Sequence, residues 1–202
     1  MGNMANVEDL RYVRTEKAIR SAFMELVTEQ PVSSVTASSI CRRAGISRNA
    51  FYLHHASVAG LYAELIGELV NSIRAESLAS ADRRAASGGQ DDFEAAIIGA
   101  LARHEDVLRA LLPSDDGSLA KCLADGIEDA FEEAALHFGE HGGSFEQRLR
   151  CAYSAWALTG FAQRWIAETD QPLANGISRF RELHANTSAI SAEYLMEGTP
   201  LR

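Results

Sequence analysis

Arg48, Asn49 and Ala50 follow Ser47 in an unbroken row and together offer a guanidinium, a carboxamide and a methyl group. Base edges in the major groove of DNA present partners for all three. Arg pairs with guanine O6 and N7, Asn with adenine N6 and N7, and a methyl touches the methyl of thymine. Such groups read a sequence only when one short, rigid element carries them into the groove. The stretch from Thr36 to His54, TASSICRRAGISRNAFYLH, has the makings of that element. Ile40 and Ala44 lie one helical turn apart and share a face of a first helix. Gly45 comes next, free to take positive φ and end that helix. Ile46 is an apolar plug in the turn, Ser47 is a good N-cap for a second helix, and Phe51 turns inward beside Ile46. The spacing predicts a helix-turn-helix with its reading helix second.

The run Thr36-x-x-x-Ile40-x-x-x-Ala44-Gly45-Ile46-Ser47-x-x-x-Phe51-Tyr52-x-His54 resembles the DNA-binding signature of the TetR family of bacterial transcriptional regulators. The resemblance implies that Thr36 and Ser38 open the first helix near phosphate. Arg48, Asn49 and Ala50, behind the cap Ser47, would face bases, and Tyr52, Leu53 and His54 would line the phosphate backbone. The chain departs from the pattern twice. The family usually has an aromatic at the position of His55 and a phosphate-gripping lysine at that of Val58. Losing one phosphate contact weakens binding to every sequence alike and flattens the salt slope by about 1.

The elements behind this stretch read as helices. At 202 residues, with 47% hydrophobic residues and only four prolines, the chain is long enough for a full core and favours an all-α fold. A polar arm is expected to about Val13. A first helix follows, capped by Thr15, with Ile19, Ala22, Phe23, Leu26 and Val27 as its apolar stripe, and Gln30-Pro31 ends it. Ser57 caps a long helix to about Ala81 whose wide apolar face suits a link between an N-terminal head (1–56) and a larger helical body (57–202). Asp82–Asp92 reads as a loop. Phe93–Leu112 reads as helix broken near His104-Glu105 and closed by Pro113. A further helix runs from Ser118 to Phe138 with a solvated acidic stripe of Asp125, Glu128, Asp129, Glu132 and Glu133. His141-Gly142-Gly143 breaks the chain.

The helix from Ser144 to Glu168 is apolar nearly all round, which a second subunit can bury. With the last helix, Leu173–Thr187, it is expected to form a four-helix bundle across a two-fold axis, making a homodimer. The resemblance implies the same arrangement. A short helix at Ile190–Met196 is expected to end the chain.

Charge and chemistry narrow the function. The net charge is −9, yet Arg11–His54 holds seven Lys/Arg against three Glu. That head carries +4, leaving 12 basic against 25 acidic residues, or −13, elsewhere. A basic head on an acidic body is what results when only the head meets phosphate. Cys41, Cys122 and Cys151 are dispersed and read as reduced thiols of a cytoplasmic protein. No signal peptide or membrane-length apolar run is visible. No catalytic motif, metal-ligand cluster or cofactor loop appears, so neither an enzyme nor a metal or cofactor site is expected.

The sequence therefore reads as a dimeric regulator, by resemblance a repressor, on a double-stranded palindromic operator, released by a small-molecule effector. His104, Phe131, Tyr153, Trp156, Thr159 and Gln163 are candidates to line the effector pocket, and the absence of carboxylates among them favours a neutral or aromatic molecule. The alternative is a dimeric interaction protein whose degenerate helix-turn-helix no longer reads DNA.

Overall fold

The computed structural model describes residues 3–87, 93–137 and 144–184. These residues are helical in architecture, with no strand among them. The head consists of α1 (Asn3–Glu29), α2 (Ala37–Ala44) and α3 (Arg48–His54), and α4 (Val58–Ala86) leads out of it. The body adds α5 (Phe93–Ala102), α6 (Glu105–Leu111), α7 (Ser118–His137), α8 (Phe145–Glu168) and a helix over residues 177–184, α9. The all-α fold with an N-terminal helix-turn-helix is as expected.

Three boundaries differ from the sequence reading. The last helix starts at residue 177 and not at Leu173, because Leu173–Gly176 forms a 3-10 turn after Pro172. α1 begins at Asn3, so the expected polar arm is helical and Thr15 is no cap; its hydroxyl donates back to the Arg11 carbonyl at 3.0 Å. No proline or glycine interrupts residues 3–14, so the helix continues N-terminally past the point where its apolar stripe ends. α4 runs on to Ala86 because Ala81 is still buried and Arg83 folds back onto Glu76 at 3.0 Å. Residues 88–92 of the expected loop, the break at His141-Gly142-Gly143, the end of the last helix at 185–187 and the short helix at Ile190–Met196 lie outside the described residues.

One continuous apolar core joins head and body, from Ile19 and Phe23 of α1 through Leu61, Leu69 and Ile73 of α4 to Leu158 of α8 and Phe180 of α9. α4 packs on α5 and α7, and α7 on α8; α1 rests on α2 and also touches α6. The α4–α7 crossing is close because its residues are small. A Cβ on Gly126 would stand 3.0 Å from Val70, and buried Ser77 donates to the Ala130 carbonyl at 2.9 Å. α5 and α6 break at Arg103-His104, as expected, and Asp115 accepts from the amides of Leu119 and Ala120 at the start of α7. Of the acidic stripe on α7, Asp125 and Glu133 pair with Lys121 and Arg74 on the outer face. No described helix is long and apolar enough to cross a membrane.

The turn between α2 and α3 depends on Gly45, which sits at φ 67°, ψ 32° in the left-handed region. A Cβ there would touch nothing within 4 Å, so a side chain costs backbone strain and no clash. Gly45→Ala should lower stability by about 1–2 kcal/mol, and Gly45→Asn by less. Denaturant midpoints measure both. An alanine variant as stable as wild type would show that the turn does not need this conformation.

Candidate nucleic-acid interface

The helix pair is set by local caps. Thr36 and Ser39 close a reciprocal box at the start of α2. The Thr36 hydroxyl accepts from the Ser39 amide at 3.1 Å, and the Ser39 hydroxyl from the Thr36 amide at 3.0 Å. The Gly45 amide donates to the Cys41 carbonyl and ends α2. The Ser47 hydroxyl accepts from the Ala50 amide at 3.1 Å and starts α3. Phe51 is fully buried beneath the turn. Because the caps satisfy the helix-end amides locally, the outward side chains are not needed to hold the turn.

Of the nine residues singled out in the sequence, Thr36, Ser38, Ser47, Arg48, Asn49, Tyr52 and Leu53 are exposed and Ala50 is half-buried beside them. Leu53 is 79% exposed. The Arg48 guanidinium lies by the Tyr52 phenol, which raises it further above its usual range. His54 is withdrawn. Its ring stacks on Tyr12 of α1 with centroids 3.9 Å apart, and its Nδ1 meets Glu16 Oε2 at 2.9 Å. A groove of about 650 Å³ runs between Arg11, Tyr12 and Thr15 of α1 and Ser47, Ala50 and Leu53 beside α3.

Behind this face lies a charged cluster that the sequence reading missed. Arg20 Nε donates to Glu16 Oε1 at 2.6 Å, and both terminal nitrogens reach Glu68 of α4 at 2.7 Å. Only the Glu16–Arg20 spacing of four was legible in advance; Glu68 lies 48 residues away. Arg20 is thus turned to α4 and away from any phosphate. Arg43 is likewise held by Glu25 and Glu29. Burial pushes the Glu16 carboxyl up, but the Arg20 hydrogen bond, the field of His55 and the His54 contact outweigh it and hold it below the usual value. The Arg20 hydrogen bond holds Glu68 below it too. Both departures from the family pattern point inward: His55 is buried and Val58 packs against the core.

The comparisons agree with this geometry. Residues 19–65 match the family model for bacterial regulatory proteins of the tetR family. Over those residues the head is similar to the DNA-binding region of that family. Among solved structures, the dihydroxyacetone kinase operon activator DhaS shares the fold at a TM-score of 0.56 and 16% identity, over 87% of this chain and 97% of that one. The fatty acid degradation regulator FadR from Bacillus halodurans does so at 0.55 and 16%, over 84% and 93%. No curated protein matches by sequence. The head thus resembles that of TetR-like DNA-binding regulators, and the solved structures extend the likeness of fold over the body.

The body places the six effector candidates differently. Phe131 and Thr159 are buried, and the Thr159 hydroxyl has no hydrogen-bond partner. His104 and Gln163 are half-buried. Tyr153 and Trp156 are exposed on α8, whereas Thr159 is buried. A separate cavity of about 440 Å³ opens between Val32, Tyr62 of α4, Leu111 and Asp115, and none of the six lines it.

The Arg20 cluster sets an acid limit on the fold. Glu16 and Glu68 have folded values below their unfolded ones. Their stabilisation is therefore complete above the usual carboxylate value and is lost as pH falls through the depressed ones. Arg20→Met should remove about 1–2 kcal/mol at neutral pH, a figure discounted because the Glu68 side chain is half exposed. It should also make the loss of stability between about pH 5 and pH 3 shallower. Urea midpoints across that range test this, and an unchanged slope would count against the cluster.

Proposed function

We propose that the chain works as a homodimer that reads a palindromic operator and leaves it when a small molecule occupies the body. The observation that carries the operator assignment is the first turn of α3. Arg48 and Asn49 are exposed there on a helix whose N-terminal amides are capped by Ser47, which leaves both side chains available to base edges. Tyr52, Leu53, Thr36 and Ser38 flank them and suit the backbone. His54 is better placed to orient α3 through Glu16 than to meet phosphate itself. The alternative of an interaction protein with a degenerate head takes its motive from His55 and Val58, and salt-dependent binding to duplex DNA separates the two readings.

The dimer rests on α8. Phe145, Leu149, Tyr153, Trp156 and Gly160 recur at spacings of three and four on one outward face, and each of the four side chains is about half exposed or more. A contiguous apolar stripe of this kind marks an association surface. Gly160 has open space where a Cβ would stand, so the backbone of a partner helix can approach closely. Leu183 of α9 is exposed as well and extends the surface toward a four-helix bundle. Two heads must then meet major grooves roughly 34–36 Å apart, and any movement of α4 changes that spacing. DhaS is named an activator and FadR a regulator, so the shared fold carries no sign. Repression follows most simply from a dimer that occupies its operator until an effector displaces it. A neutral or aromatic effector suits the apolar surroundings of Thr159 and Phe131.

Selection of bound sites from random duplexes tests the reading directly. Arg48→Ala and Asn49→Ala should each cost about 1–3 kcal/mol and relax preference at one position per half-site. Two variants with the full wild-type specificity profile would overturn the assignment of α3. Gly160→Glu should dissociate the dimer, since it places an unpaired charge in the apolar contact. Light scattering that found this variant folded and as tightly dimeric as wild type would exclude the α8 face.

A further inference from the structure

We propose that His55 is a proton-operated latch between the head and α4. The residue stands where the family usually has an aromatic, and its side chain is 1% exposed. Its Nε2 hydrogen-bonds Glu16 Oε2 of α1 at 3.0 Å, and its Nδ1 lies 3.0 Å from Glu64 Oε2 of α4. Both neighbours are carboxylate oxygens, which only accept. A neutral imidazole has one N–H and one lone pair, so it can serve only one of them; the imidazolium serves both.

The two ends of the latch are unequal. Glu16 also receives His54 Nδ1 and Arg20 Nε, and the Nε2 contact has hydrogen-bond geometry. Glu64 is half exposed, and Nδ1 meets it as a close ion pair without hydrogen-bond alignment. When His55 loses a proton, Nε2–H therefore stays on Glu16. The Nδ1 lone pair then faces Glu64, which turns to water.

The groups around the ring set the consequence. From α1 it faces Glu16, with Arg20 behind; from α3, His54 and the Phe51 ring; from α4, Glu64. One turn further along α4, Glu68 grips Arg20 and feels the charge of His104 at the start of α6. Beside the apolar core that head and body share, two polar contacts thus tie the head to α4, Arg20–Glu68 and His55–Glu64. Arginine does not titrate near neutrality, so rising pH removes only the second contact and loosens the seat of the head on α4.

The effect on DNA rests on the operator reading above. An orientation that must be fixed on binding costs entropy, so operator affinity should fall by about fivefold as pH rises from about 6 to about 8. His55→Phe, which places the family's aromatic there, and Glu64→Gln should both flatten that dependence. His54, which shares Glu16 Oε2 with His55, is retained in all three proteins, and Glu64→Gln leaves that shared contact untouched. The ring nitrogen-15 spectrum of His55 gives a readout that needs no DNA. It should show two N–H groups at the lower pH and Nε2–H alone at the higher one, with the two-proton form diminished in Glu64→Gln. A singly protonated ring at both pH values, or equal pH profiles of operator affinity in the three proteins, would overturn the latch. A ring that behaves as expected in a protein that binds no duplex would leave the latch standing and overturn the operator reading instead.

Discussion

The guanidinium of Arg20 donates to Glu16 on its own helix at 2.6 Å and to both oxygens of Glu68 on α4 at 2.7 Å, and the placement of the head follows from that fork. Apolar packing alone fixes helix positions loosely, because hydrophobic contacts are non-directional. A bidentate guanidinium–carboxylate pair adds direction. Desolvation of such a pair offsets much of its attraction, so its worth lies more in geometry than in net stability. Glu16 extends the constraint to the end of α3 through His54 and His55. Two helices of the head, α1 and α3, are therefore referred with α4 to one small cluster of charges.

How much of this was legible in the chain depends on the range of each interaction. Thr36, Gly45 and Ser47 announce the helix-turn-helix because each meets a backbone need within four residues of itself. The break between α5 and α6 and the cap of α8 at Ser144 are equally local. The start of α1 was misread because periodicity reports burial and not helicity: the stripe ends near Ile19, whereas the helix goes on to Asn3 with Leu10, Tyr12 and Val13 exposed. Arg20 illustrates the opposite limit. Among the basic residues of α1 only its spacing of four from Glu16 marks it out, and its partner in α4 is set only by the packing of the two helices. The roles of His54 and His55 were hidden for the same reason, since no spacing rule connects them to Glu16, 38 and 39 residues away.

Head and body are also less separable than a head on a stalk. The apolar core is continuous from Ile19 to Phe180, and α1 meets α6 in addition to the passage through α4. A displacement in the body therefore has two routes to the α2–α3 pair. One is along α4, whose small residues Ser77 and Ser80 and the adjoining Gly126 of α7 bring the two helices close. The other is from α6 to α1. Close-packed interiors switch between discrete arrangements rather than deform smoothly, so movement of α6 or α7 must be taken up where packing gives way to polar contacts. The Glu16–Arg20–Glu68 cluster and the half-exposed Glu64 are such a place.

The same pairing alters what the net charge of the head means. Its formal +4 comes from seven cations and three glutamates. Glu16, Glu25 and Glu29 all pair with Arg20 and Arg43. The cations that remain, Arg11, Arg14, Lys17, Arg42 and Arg48, are exposed. The outward field of the head is therefore more uniformly positive than its composition suggests, while Lys121–Asp125 and Arg74–Glu133 leave the body's excess acidity on its own surface. Phosphate attraction scales with the cations that reach the backbone and not with those in the formula. A head that neutralises its acids internally can bind a polyanion although the whole chain is acidic. The acidic body, for its part, resists lying on DNA, which leaves the α3 face as the surface favoured for contact.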